Sequence, residues 1–490
     1  MSRRKQSNRT RKQSRRVIER VRNKTLFKSL LGWLIPKDVL FTEDRFHGNI
    51  KWTPEQLAQE ALIWAWQDTR HVTDAFEMAL EVCEELNLEK VAKTYTGFIN
   101  ALERYRETFR LRLGRRFQAL AEEVGGRFWR DDGWVLMGFD GSRVTTPRTV
   151  SNEQEFCAPD YGEGKTARYR RKKSKGMRRR RNEKNKSQPQ APQAWITMMW
   201  HMSLRLPWSW RLGPSNSSER GHVREILKQE EFPDNTLFCG DAGFVGYDFW
   251  RSILACRGHF LVRVGANVNL LSETADVKQD GGGIVLCWPK GKMDSGAKPL
   301  RLRLIKVKIG NTTMWMLTSV LDRKKLRKRK IIKYYKMRWG VEVEYRGLKH
   351  TIDKRHLRCR NSDRVYAELD WSIRAMAFVE LIVLREQIPK HNKSRRRREP
   401  DYDTKDRSLA NAVRALRKCM RNLNKYVDPR SNVLSDLSGA LVQKYKNQTD
   451  KKARYRPKNP DKKPLGAPSV SILNRKQREK LRKLDHQIAV

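Results

Sequence analysis

Two short apolar runs in this 490-residue chain end in aspartate: Trp134-Val-Leu-Met-Gly-Phe-Asp140-Gly and Thr236-Leu-Phe-Cys-Gly-Asp241-Ala-Gly. Each reads as a buried strand feeding a tight turn. A carboxylate at the end of a buried strand is held rigidly at the sheet edge. Two of them on neighbouring strands can share divalent cations. Mg²⁺ prefers carboxylate oxygens and keeps several waters, which leaves positions for phosphate oxygens. Two such ions about 3.5–4 Å apart can stabilise both the attacking and the leaving oxygen of an in-line displacement. Taken singly, either Asp-Gly reads equally as ordinary turn chemistry.

A third element weights the pair toward chemistry. The segment Tyr334-Tyr335-Lys-Met-Arg338-Trp-Gly-Val-Glu342-Val-Glu344-Tyr-Arg346-Gly-Leu-Lys349 lies in a stretch expected to be helical over 324–350. At 3.6 residues per turn, with Tyr335 set at zero, Arg338 falls at about 300°, Glu342 at about 340° and Lys349 at about 320°. Arg346, at about 20°, can join that polar stripe, and Met337, Val341 and Leu348 form an apolar stripe beside it. Glu344 falls near 180° and is the weaker candidate ligand. A solvated, salt-bridged face is the bland reading of such a helix. Downstream of two strand-end aspartates, the sharper reading gains weight.

The elements that must position these groups follow from texture. Residues 1–50 read as a basic, largely disordered tail, with eleven Lys/Arg and one acid in the first 24. A helical region spans 51–130; Thr53, Pro54 and Gln56 signal its start with a hydroxyl cap, proline at the first helical position and a possible capping box. Residues 54–93 invert the charge of the chain, with nine acids against three basic residues, so they are a poor grip for phosphate. Residues 131–388 read as an α/β catalytic domain containing a basic loop (about 163–192) and a β-rich block (about 257–322). The basic loop has thirteen Lys/Arg and one acid between 165 and 186. Residues 389–490 form a basic linker, a helix and a polar tail.

Lys plus Arg number 105 against 55 Asp plus Glu, a formal net charge of +50. Such a chain gathers polyanions, and nucleic acid is the usual one. The seven cysteines show no C-x-x-C pair, which points to reduced, mostly buried thiols and away from zinc. No apolar run is long enough to span a bilayer, so a cytoplasmic or nucleoid-associated protein without a membrane partner is expected.

With these residues in place, the chain resembles the bacterial insertion-sequence transposases of the IS-four type. Tyr335-x2-Arg338-x3-Glu342-x6-Lys349 is similar to their Y-(2)-R-(3)-E-(6)-K signature. Phe-Asp140-Gly-Ser and Asp241-Ala-Gly-Phe resemble the flanks of their first two acids, and Phe260-Leu-Val-Arg-Val resembles the strand opening their β insertion. The resemblance implies an RNase H-like core: a mixed sheet flanked by helices, interrupted by a β-rich insertion between the second Asp and the Glu. It implies that Asp140, Asp241 and Glu342 are a catalytic triad binding two Mg²⁺ (or Mn²⁺) ions. It further implies that Tyr335, Arg338 and Lys349 contact DNA phosphates, with Arg346 a neighbour able to join them. The expected activity is cut-and-paste transposition: metal-dependent cleavage at transposon ends and strand transfer into target DNA. The expected partners are double-stranded DNA, as terminal inverted repeats and target, and a second copy of the chain in the DNA-bound complex. Trp288 and Trp315 are candidates for stacking a flipped base, against the plainer reading of core packing. The rival readings are a non-catalytic or nuclease-only RNase H-like DNA-binding protein, and a basic RNA-binding protein.

Overall fold

The fold is given by a computed structural model, which describes residues 21–157, 191–275, 277, 280–393, 402–428, 431–442 and 465–486. The first twenty residues of the basic tail, the basic loop 165–186 and much of the basic linker lie outside the described residues.

Five strands make the centre of a mixed sheet. They are β1 (Val135–Thr145), β2 (Gln193–His201), β3 (Leu206–Gly213), β4 (Thr236–Gly240) and β5 (His259–Val264). β1, β2 and β3 form an antiparallel meander. β4 then pairs in parallel with β1, and β5 in parallel with β4. The spatial order is β3-β2-β1-β4-β5, a mixed sheet that agrees with the RNase H-like core implied by the resemblance. β4 is buried at all five positions, which explains why it reads as a continuous apolar run rather than an alternating one.

The β-rich block does not fold apart from this sheet. β6 (Asn269–Ser272), β7 (Gly282–Cys287), β8 (Leu300–Ile309) and β9 (Thr312–Thr318) extend it beyond β5, with β9 antiparallel to β5. The strand His259–Val264, read from sequence as the opening of the insertion, is therefore the fifth core strand, and the insertion begins after Val264. A tenth strand, β10 (Ser469–Ile472), closes this edge, within a stretch whose sequence reads as polar tail.

Helices flank the sheet. The N-terminal region is helical: α1 (Asn23–Leu34), α2 (Pro54–Trp66), α3 (Val72–Glu85), α4 (Tyr95–Arg104) and α5 (Arg106–Gly125). α2 starts as expected, with Thr53 accepting from the Gln56 N–H at 3.4 Å and proline at the first position. The capping box does not close: the Gln56 side chain instead accepts from the Lys90 N–H at 2.8 Å, tying two segments together. Next come α6 (Val150–Phe156), α7 (Glu219–Gln229), α8 (Tyr247–Ala255) and the short α9 (Lys290–Asp294). The site helices are α10 (Lys328–Met337) and α11 (Gly340–Arg346), followed by a π-turn over Gly347–Thr351.

The central support is α12 (Ser362–Lys393), whose residues Ala375 to Leu384 are all buried. Trp66 of α2 donates its indole N–H to the Ala375 carbonyl at 3.0 Å, and Glu380 is met by Arg407 at 3.5 Å. No helix among the described residues is long and apolar enough to cross a membrane. α13 (Leu409–Met420) and α14 (Val433–Ser438) pack near α12, and α15 (Arg475–His486) follows β10. All seven cysteines are free thiols and five are buried.

Candidate active site

The parallel pairing of β1 and β4 sets the geometry of the two aspartates. The register runs to Gly138↔Cys239, and Asp140 and Asp241 each lie two residues further on. Side chains alternate along a strand, so equal offsets put both carboxylates at the same end and on the same face. Asp140 Oδ1 accepts the Gly141 N–H at 2.9 Å, and Asp241 Oδ1 accepts the Gly243 N–H at 2.7 Å. Gly240 is forced by packing: a Cβ there would lie 2.8 Å from the Phe139 ring, itself fully buried. Burial holds the Asp140 carboxyl above the ordinary range; the Gly141 N–H and Arg338 oppose this, and the charges of Asp241 and Glu342 add to it.

The segment carrying Glu342 is not one helix. α10 stops at Met337, Arg338 and Trp339 make a turn, and α11 restarts at Gly340. Both residues keep right-handed helical dihedrals, and the Val341 and Glu342 N–H groups donate to the Arg338 and Trp339 carbonyls at 3.3 and 3.2 Å, so the turn shifts the phase expected of one continuous helix. Gly340 sits where α11 meets β2 most closely: a Cβ there would lie 1.9 Å from Trp200 Cη2. α10 is pinned separately, by Lys330, Lys333 and the Tyr334 hydroxyl, all on Asp131 in the turn before β1.

The break redistributes the expected residues. Arg338 is only 5% exposed, and its Nη1 lies 3.6 Å from Asp140 Oδ2. Tyr335 is 4% exposed, beneath the Arg338 guanidinium. Both side chains are therefore buried, with Arg338 between Tyr335 and Asp140. Glu342 is exposed, as is Arg346 on the same helix. Lys349 is half-buried and donates to Ser142 Oγ at 2.8 Å, two residues beyond Asp140 on β1. Burial pushes its ammonium below the usual lysine range, with Arg355 adding to the effect. Glu344 is buried beside Glu380; burial and then the Glu380 charge hold its carboxyl well above the ordinary range, with Arg407 and Arg205 opposing.

Two residues missed from the sequence complete the arrangement. Tyr345 is buried and clamps α11 to the strands: its hydroxyl donates to the Asp140 carbonyl at 2.8 Å and accepts the Met198 N–H at 3.1 Å. Glu219, in the first turn of α7, lies against Gly141, where an added Cβ would come within 2.3 Å of Glu219 Oε1. Its carboxyl is pushed up to about 7, first by burial and then by the charges of Asp140 and Asp241. No sequence signal separates Glu219 from an ordinary first-turn acid, because Ser218 caps the helix by accepting the Gly221 N–H.

Carboxylate oxygens of this kind suit Mg²⁺ or Mn²⁺. Among the described residues no three His, Cys, Asp or Glu side chains already converge as a metal cage. The Arg338 guanidinium already lies 3.6 Å from Asp140 Oδ2, so a metal held by this carboxylate would compete with it. Of the two tryptophans considered for base stacking, Trp288 is core, 3% exposed, with its N–H on the Ala297 carbonyl at 2.7 Å. Trp315 is half-buried on β9, with Lys306 Nζ 5.9 Å from its ring centre.

Residues 139–378 match the family model described as Transposase DDE domain. The match covers just under half of the chain and contains Asp140, Asp241, Glu342 and the whole insertion. Over this segment the chain is similar to DDE transposases. Among solved structures, a cryo-EM structure of a piggyBac transposase synaptic complex with hairpin DNA is similar over 93% of this chain and 84% of that one, at 11% identity and a TM-score of 0.37. No curated protein matches the chain.

Proposed function

We propose that this chain is a DNA transposase of the IS-four type that cleaves transposon ends and joins them to target DNA, with Asp140, Asp241 and Glu342 as its catalytic triad. The observation that carries this reading is the equal offset of Asp140 and Asp241 beyond a parallel β1–β4 register, inside the segment that matches the DDE domain. The hydrogen bond from Tyr345 to the Asp140 carbonyl supports including Glu342, because it ties α11 to the strand bearing the first acid.

Two Mg²⁺ or Mn²⁺ ions held by the three acids would supply Lewis-acid polarisation of the scissile phosphate and activation of water or a 3′-hydroxyl. The chain's own residues do the rest. Gly141 and Gly243 N–H groups fix the two aspartates by their Oδ1 atoms. Lys349, oriented by Ser142, offers a point charge to a phosphate next to Asp140, and Arg346 extends the cationic edge from α11. Arg338, over the Tyr335 ring, offsets the Asp140 charge until a cation arrives, and reaches a phosphate only after leaving Asp140. The substrate is double-stranded DNA, and two ends are joined by a DNA-bound homodimer acting at the nucleoid.

The test uses the purified chain and linear DNA carrying its own coding region with both flanks. The expected result is Mg²⁺- or Mn²⁺-dependent nicking at the element boundaries and joining of a pre-cut 3′-hydroxyl end to a plasmid. Asp140→Asn, Asp241→Asn and Glu342→Gln should lose both steps while keeping DNA affinity. Cleavage without joining would make the chain a nuclease, and binding without either would make it a non-catalytic relative.

A further inference from the structure

Residues 469–486 return to the insertion from the far end of the chain. β10 adds in parallel to β6, from Ser469↔Asn269 to Ile472↔Ser272. α15 begins with a reciprocal cap: Asn474 Oδ1 accepts the Gln477 N–H at 2.9 Å, and Gln477 Oε1 accepts the Asn474 N–H at 3.0 Å. Leu473 and Leu481 bury with Leu286 and Trp288 in a small core separate from the main one. The segment is seated on the insertion by a ladder, a cap and a core of its own.

Its outward side is cationic. Residues 475–486 carry six Lys/Arg against Glu479 and Asp485. A cleft of ≈ 1100 Å³ runs between α15, the insertion and the start of α8. Lys476 and Lys480, one helical turn apart, line it from α15; Lys290 lines it from the insertion, and Arg220 from α7. Asp294 is its one acidic lining residue among the described residues. Arg220 follows Glu219 and donates to the Val245 carbonyl at 2.8 Å, so one end of the cleft is lined by residues one position after Glu219 and four after Asp241. Small-molecule sites of about 300–1000 Å³ are mostly apolar with a few convergent polar groups. This one is as large as the largest of those, and beside its apolar lining four cations stand on three elements, which suits a polyanion lying along it.

We propose that this cleft holds the sugar–phosphate backbone of double-stranded DNA next to the carboxylate site, with residues 469–486 supplying one wall. The choice of DNA rests on the transposase reading; the cleft and its charge do not.

The test measures affinity of the full chain for a fluorescent random-sequence DNA duplex across a salt series. Lys476 is exposed and Lys480 half-buried, so Lys476→Ala/Lys480→Ala should leave the fold intact, checked by its thermal melt. Losing two phosphate contacts lowers the slope of log K against log salt by about 1.8, roughly 60-fold in affinity at 0.1 M salt relative to the 1 M limit. The control Lys28→Ala/Lys51→Ala removes the same charge from exposed positions in the N-terminal region and should leave the slope near wild type. Leu481→Asn, which unseats α15, should reproduce the loss. Equal losses in the control and the cleft variant would overturn the proposal, as would a loss confined to an RNA duplex. Altered binding without metal-dependent cleavage would retain the cleft and reject the transposase; cleavage with an unchanged slope would do the reverse.

Discussion

Arg338→Met tests whether the guanidinium is an internal stand-in for a cation. The substitution keeps an unbranched apolar stem and removes the guanidinium and its charge. Arg338 Nη1 lies 3.6 Å from Asp140 Oδ2, and Arg338 is buried while the Asp140 side chain is 22% exposed. Two unit charges at that distance attract by about 4–5 kcal/mol at an effective dielectric of 20. Desolvation of both groups and partial exposure of the acid offset much of this, leaving an expected loss of about 1–3 kcal/mol when one partner is removed. The assay is urea unfolding in EDTA and in Mg²⁺ at pH 8. In EDTA the variant should be less stable by that amount. In Mg²⁺ the deficit should shrink, because a cation that no longer competes with Arg338 binds the folded site more tightly; a tenfold gain in affinity restores about 1.4 kcal/mol. Lowering the pH should also shrink the deficit, since protonating Asp140 removes the uncompensated charge. A deficit identical in EDTA and Mg²⁺ would refute the idea that guanidinium and metal share one place.

Three further outcomes follow from the packing. Gly340→Ala puts a methyl group 1.9 Å from the buried Trp200 ring, so it should cost about 1–3 kcal/mol or more in denaturant unfolding and slow cleavage by shifting α11; wild-type stability and rate would contradict the contact. Glu60 is fully buried, with its carboxyl pushed up to about 8, chiefly by burial. The folded state keeps that proton over a range where the unfolded state has lost it, so stability should fall as pH rises from about 4.5 to about 8, and Glu60→Gln should flatten that fall; superimposable pH profiles would count against it. Glu219→Gln removes a like charge beside Asp140 and Asp241, so it should raise the melting temperature in EDTA at pH 8 and weaken Mg²⁺ stabilisation; a lower melting temperature in EDTA would show that Glu219 is a structural anchor instead.

The legible parts of this molecule are those where local texture and tertiary role agree. β4 is apolar at each position because each is buried, and a strand of that kind ending in Asp-Gly is visible without knowing its neighbours. Ala375–Leu384 likewise reads as a buried helix because it packs on every side. The break at Arg338-Trp339 was not legible. It comes from close approach of Gly340 to Trp200 and from the Arg338–Asp140 pair, both of which join segments far apart in sequence. Glu219 and Tyr345 are invisible for the same reason: each is an ordinary helix residue until β1 passes beside it. β10 is four residues long and takes its strand character from β6, nearly two hundred positions earlier.

The central claim is most directly tested by comparing Glu342→Gln with Glu344→Gln in Mn²⁺-dependent cleavage of DNA carrying the element's ends. Glu342→Gln should abolish cleavage while leaving DNA affinity near wild type. Glu344→Gln, which alters a buried cluster with Glu380 and Arg407, should retain cleavage wherever the protein stays folded. Cleavage by the Glu342 variant, with a folded but inactive Glu344 variant, would contradict the assignment of the third acid.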